Sequence, residues 1–229
     1  MASRLTEAHI EAQRRLREAT AEAVELIWNS LPGYTEENLD DWLSLVLPVV
    51  RLAERQSSLL TQGFIARTIR RPVGVNPDPI LRGLRNGIPP EEVYARALAT
   101  TWTSLANGAT IEEASAAGLA RAVGSARMDV QMTMRATAQA VQDAVPEIRG
   151  YTRVADAGAC EFCALVDGAF VYSASAAPLH NNCGCGLEPV IRGRHRQTPV
   201  PDGVAVHEHG ELGPVLGDPH HNFTSQSDL

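Results

Sequence analysis

Four cysteines and one histidine of this 229-residue chain crowd into 26 residues, as Cys160-x-x-Cys163, sixteen intervening residues, then His180-x-x-Cys183-x-Cys185. A two-residue gap lets both sulfurs of a tight turn face one centre. The second half offers three more ligands across a comparable turn, so a tetrahedral zinc site is the chemistry to expect. Five candidates compete for four places: Cys160, Cys163, His180, Cys183 and Cys185. Residues two apart in an extended segment share a side, so Cys183 and Cys185 can both bind while His180 supports a ligand from outside; alternatively His180 binds with one of them. Two disulfides are the rival reading, but no export signal is visible and a reducing cytosol opposes them. A redox C-x-x-C leaves the second half of the cluster unexplained.

A catalytic zinc keeps one position for water and needs a nearby base. Glu161, Asp167 and Glu188 are the available carboxylates, each more simply a solvated residue of a turn-rich segment. A deaminase needs His-x-Glu ahead of Pro-Cys-x-x-Cys, whereas here the Cys-x-x-Cys comes first and follows Ala159. No H-E-x-x-H is present. Ser173 and Ser175 lie near His180, yet that histidine has a better use at the metal, which leaves a serine nucleophile without its base. His207, His209, His220 and His221 can hold metal only weakly, and His9 and His195 have no visible partners. A structural site without catalysis is the expectation.

The elements that must position this cluster are helical up to about residue 145. Leu5, Ala8, Ala12, Leu16, Ala19, Ala23 and Ile27 recur at steps of three and four and predict an amphipathic helix from Leu5 to Ser30 with that face inward. Pro32-Gly33 stops it, and Thr35 with Glu36 and Glu37 caps a second helix carrying Trp42, Val46, Val50 and Ala53, with a kink expected at Pro48. Residues 70–90 hold five prolines and three glycines and read as a long connection. Pro90 opens a third helix ending near Asn107-Gly108, and the capping box Thr110-Ile-Glu-Glu113 starts a long one reaching about Ala144. Its Gly118 and Gly124 suit close helix packing, and Met128, Met132 and Met134 read as core.

Periodicity ends at Pro146, and β-like pieces at residues 150–154, 169–172 and 187–191 interleave with the cysteines. The fold class expected is mainly α: a helical body (1–145), a small α+β zinc-knot module (146–191) and an extended or disordered tail (192–229).

A formal charge of −7 gives no global attraction to phosphate backbones. Arginine clusters at 14, 15 and 17, at 67, 70 and 71, and at 192, 194 and 196 read as solvated faces, although Arg149, Arg153 and the last group can flank a nucleic-acid-binding ribbon. All 20 basic residues are arginine, as expected of GC-rich coding sequence. No apolar run is long enough to span a membrane, and the charged N-terminus does not fit a signal peptide, so a soluble protein made in the cytoplasm is expected.

The segment from Tyr151 to Val190 resembles the C-terminal motif of the Mu F-like minor head proteins of tailed bacteriophages, the phage head morphogenesis family. Arg153 and Asp156, the Cys160/Cys163 pair, Gly168, then His180, Asn182, Cys183, Cys185 and Pro189 carry the likeness. Glu161 and Asn181 stand where proline is common in that family. The resemblance implies a minor capsid protein inside the procapsid near the portal, with portal or major capsid protein as partners, packaged DNA as a weak one, and the virion as its place after assembly in the host cytoplasm. A capsid maturation protease is the enzymatic alternative.

Overall fold

The computed structural model describes residues 2–177, 184–191, 202 and 204–217. Four long helices dominate: α1 (Arg4–Ser30), α2 (Leu39–Ile69), α4 (Pro90–Ala106) and α5 (Ile111–Ala144), with a short α3 (Pro77–Gly83) between α2 and α4. A three-stranded antiparallel sheet follows, ordered β2-β1-β3 from β1 (Gly150–Val154), β2 (Phe170–Val171) and β3 (Gly186–Val190), with the one-turn helix α6 (Glu161–Leu165) between β1 and β2. Last comes a hairpin of β4 (Ala205–His209) and β5 (Gly213–Gly217).

The chain enters its helices where capping chemistry directs. Ser3 accepts from the Thr6 amide, Asn38 Oδ1 accepts from the Thr35 amide, and Thr110 and Glu113 cap each other reciprocally at the start of α5. α2 runs through Pro48 as one helix. The proline-rich connection at 70–90 is not structureless. Asn76 caps α3 through the Asp78 amide, because proline tolerates the first helical turn, where its missing N–H costs nothing.

α1 forms where expected but buries a different face. Leu5 and Leu26 are exposed, and of the predicted stripe no residue is fully buried, although Ile27 at its end packs against the core; the buried residues are Thr6, His9, Ile10, Gln13, Arg17, Thr20, Ala21, Val24 and Trp28. The polar members of that face are held by partners. Gln13 donates to the Ser57 carbonyl and to Thr61, and His9 stacks on Phe64 at 4.4 Å between ring centroids. Alanine gains little by burial, so a hydrogen-bonded polar face outcompetes an alanine stripe once α2 and α5 supply the partners.

At one end of the bundle Trp28 and Trp42 meet edge to face, with Trp42 Nε1 donating to the Tyr94 carbonyl. Gly118 makes this packing possible: a Cβ there would come within 2.2 Å of Thr101 Oγ1, 2.7 Å of Trp28 Cζ2 and 2.8 Å of the Ala97 carbonyl oxygen. Gly124, one face away on the same helix, has open space at that position. Gly118 is therefore a packing glycine and Gly124 is not.

Eight consecutive residues of α5, Met128 to Arg135, are buried on every side. Asp129 accepts from Arg85 Nε at 2.7 Å and from the Tyr94 hydroxyl at 2.8 Å. Arg85 and Asn86 both adopt left-handed backbone conformations, φ 50° and 55°, at a cost of order 1–2 kcal/mol each. The buried ion pair offsets that cost, since without Arg85 the Asp129 carboxylate would be left buried and uncompensated. Nearby, Glu54 of α2 is pushed up to about 8 by burial and by the Asp129 charge.

Two outcomes follow in urea unfolding. Gly118→Ala should lose about 1–3 kcal/mol through overpacking, while Gly124→Ala should gain up to about 1 kcal/mol from helix propensity alone. For Glu54, the raised folded value means wild-type stability is lost as the carboxyl ionises, from its ordinary 4.5 up to about 8. The stability advantage of Glu54→Gln over wild type should accordingly grow with pH across that window and level off above it; a pH-independent difference would contradict the assignment.

Candidate functional site

β1 is the centre of the small sheet, with Arg153 opposite Leu187 and Val154 opposite Gly186. On its other side Arg153 pairs through its backbone with Ala169 and Gly168, at 2.8 and 2.9 Å. Tyr151 anchors the sheet to the body, its hydroxyl donating to the Ala138 carbonyl of α5. After β1 the chain turns into α6, with Cys160 as N-cap and Cys163 within the helix. Positions three apart share a helix face, so this spacing presents both cysteines to one neighbourhood.

Cys160, Cys163 and Cys185, which come from either side of β2, pack in one cluster with Val166, Val204 and Leu216. Arg153, itself buried, points Nη2 at Cys163 Sγ from 3.5 Å. Among the described residues no three histidine, cysteine, aspartate or glutamate side chains are grouped as a metal site. His180 and Cys183, the other two candidates, lie outside the described residues.

The glycine inside Cys183-Gly184-Cys185 has a steric reason. A Cβ on Gly184 would stand 1.6 Å from Asp156 Oδ2 and 2.8 Å from Arg17 Nη2. Asp156 Oδ2 is 4.0 Å from Arg17 Nη2, and Asp156 Oδ1 is buried with no hydrogen-bond partner among the described residues. Arg17 also donates to Gln131 Oε1 at 3.4 Å, and Gln131 Nε2 donates to the Cys185 carbonyl at 2.8 Å. The approach to the cysteines is thus built by α1, α5 and the loop after β1 together.

This arrangement changes the reading of several side chains. Arg17 is not part of a solvated basic run: Arg14 and Arg15 pair with Glu11 on the surface, while Arg17 is interior. Arg153 is buried too and contributes no basic surface beside Arg149. Asp167 accepts from the Ala155 amide at 2.8 Å, which closes the loop around the first cysteine pair. Asp167 and Glu188 line a cleft of about 610 Å³ with Glu7, Glu11 and Asp156, and Glu161 is exposed. The hydroxyls of Ser173 and Ser175 contact each other at 2.7 Å, and Ser173 donates to Gln139 of α5. The remaining serine-histidine expectation rests on His180, outside the described residues.

Within the expected tail (192–229) residues 204–217 are a further correction, while all but residue 202 of the rest lies outside the described residues. Residues 204–217 form the β4–β5 hairpin, with Val206 opposite Leu216, and Val204 and Leu216 cover the cysteines. Its signal in the sequence is the alternation Val204, Val206 before the Gly210 and Gly213 turn. Composition alone hides it, because the hairpin's apolar residues have no core until the body and the cysteines provide one.

A family model described as VG15 protein matches residues 1–208, which takes in the helical body, the sheet and nearly all of β4. The chain belongs to the VG15 protein family. That family is phage-associated, which makes this a phage protein and puts it in a virion or a host cell. No curated protein and no solved structure matches the chain. No described helix is long and apolar enough to cross a membrane.

Gly184→Ala should force Asp156 and Arg17 apart and cost about 1–3 kcal/mol as overpacking, read as a lowered thermal midpoint. An unchanged midpoint would show that this loop does not pack on Asp156 as described.

Proposed function

We propose that this phage protein is a non-enzymatic minor capsid, or head morphogenesis, protein of the Mu F-like kind, acting inside the procapsid near the portal with a structural zinc site. The observation that supports it most is that Cys160 and Cys163 from one segment and Cys185 from another pack in the same apolar cluster, with Arg153 at one sulfur and Asp156 against the glycine of the second cysteine pair. These are the residues on which the Mu F-like resemblance rests.

The donor set suits zinc, because thiolate and imidazole are its usual structural ligands. Cys160, Cys163 and Cys185 would hold it with either His180 or Cys183. Bound there, zinc would supply cross-linking free energy and no reaction. The roles of the chain's own residues are mechanical: Arg153 offsets the charge of the thiolates, Gln131 fixes the backbone at Cys185, and the β4–β5 hairpin excludes water from the sulfurs. α1, α2, α4 and α5 would then present the docking surface for portal or major capsid protein.

Two measurements check the reading. Protein purified in reducing buffer should carry about one zinc per chain by elemental analysis, and Cys160→Ser or Cys185→Ser should lose it along with thermal stability; the single variants His180→Ala and Cys183→Ser identify the fourth ligand by which one is tolerated. Mass spectrometry of procapsids and virions should find the chain at low copy number and the major capsid protein processed normally when Ser173 and Ser175 are both alanine. Absence from both particles would sink the minor capsid assignment, and unprocessed capsid protein would favour the protease.

A further inference from the structure

The outward side of α2 carries Leu45, Leu52 and Leu59 at strict seven-residue spacing, and they are 48%, 58% and 63% exposed. Seven residues are close to two helical turns, so the three share one strip that drifts by only about 20° per heptad. Isolated leucines on a surface are ordinary, whereas an apolar strip marks a contact surface. The two ends of this strip carry opposite charge. Asp41 is exposed one turn before Leu45, with Glu36, Glu37 and Asp40 beside it, and Arg67 is exposed two turns beyond Leu59, with Arg70 beside it.

Other charges along α2 are met within the chain: Arg51 by Glu54 at 3.5 Å, Arg55 by Asp78 at 2.6 Å and Arg71 by Glu147 at 2.7 Å. Among the described residues neither Asp41 nor Arg67 enters an ion pair. Arg67 Nε donates to the Gly63 carbonyl at 3.1 Å, which folds the guanidinium back over Gly63, where a Cβ would meet nothing within 4 Å. These positions are self-complementary. Turned end for end about a twofold axis at Leu52, a second copy sets Leu59 opposite Leu45, Leu52 opposite Leu52, and Asp41 opposite Gly63, over which Arg67 lies. Leucine then meets leucine and carboxylate meets guanidinium, twice by symmetry. A parallel arrangement instead sets Asp41 against Asp41 and Arg67 against Arg67.

We propose that α2 is the interface of a homodimer, in which two copies pair antiparallel through Leu45, Leu52 and Leu59, with Asp41 of each copy meeting Arg67 of the other. From Asp41 to Arg67 the contact runs about 40 Å at about 1.5 Å per residue. A single helical strip of that length suits a weak, reversible dimer and not an obligate one. The interface stands on α2 alone and does not depend on the zinc site.

The test is sedimentation equilibrium of the full chain over a concentration series. Wild type is expected to pass from the monomer to twice its mass between about 1 and 100 µM. Leu52→Glu, which sets two carboxylates face to face on the axis, should weaken the dimer at least about tenfold, with circular dichroism showing the helix content kept. Asp41→Arg and Arg67→Glu should each weaken it about tenfold alone. An equimolar mixture of those two variants should regain wild-type association, because in the mixed pair every carboxylate again meets a guanidinium; a folding defect in either chain cannot produce that rescue. A monomer at all concentrations up to about 100 µM, wild-type association by Leu52→Glu, or a mixture no tighter than the single variants would each overturn the proposal.

Discussion

Polar side chains buried in the middle of a helix must find partners or the helix cannot be enclosed, and this requirement organises the molecule around residues 128–135 of α5. Each long polar side chain there reaches a different part of the chain. Asp129 takes Arg85 and Tyr94, Gln131 takes the Cys185 carbonyl and Arg17, and Arg135 donates to the carbonyls of Ala177, Leu212 and Pro214. Burial holds Arg135 down to about 10, so it keeps its charge at neutral pH. Body, sheet and hairpin are thereby tied to one stretch of helix, and Met128, Met132 and Met134 fill the space between those ties.

The cysteine region depends on this arrangement. The sheet carrying it has three short strands and little apolar surface, too small to stand without support from outside. Tyr151 and Leu187 supply the apolar contact to α2 and α5, and Gln131 with Arg17 supplies the polar one. The hairpin closes the other side, its Leu216 on the cysteines and its Leu212 and Val215 against Met128 and Met132. A zinc ion, if held there, would add to a fold already anchored on three sides.

The hairpin also joins the two ends of the polar system. Its turn carries Glu211 between Arg85 and Arg96, and Asn86, in its left-handed conformation, donates to the Gly210 carbonyl. The strained backbone at Arg85 and Asn86 thus serves two contacts at once, the buried Asp129 beneath and the hairpin above, which is why non-glycine residues hold a conformation that glycine adopts more readily.

Local chemistry was legible in the sequence. The helix starts at Pro90 and Thr110, the strand positions at 150–154 and 187–190, and the proximity of Cys160 to Cys163 all follow from caps, proline geometry and spacing, which act within a few residues. Facing was not legible. α1 turns its polar side inward because Ser57, Thr61, Gln131 and Asp156 wait there, and those partners lie tens of residues away in the chain. Arg17 and Arg153 look like surface charge until α5 and the cysteine loop enclose them, and residues 204–217 look like tail until a core exists for Leu216. The sequence by itself determined where helices begin, since that is a short-range matter of backbone geometry and capping. Which polar groups are buried, and what meets them, was decided only by tertiary structure, because desolvation and hydrogen bonding between distant segments exist only once the chain has folded.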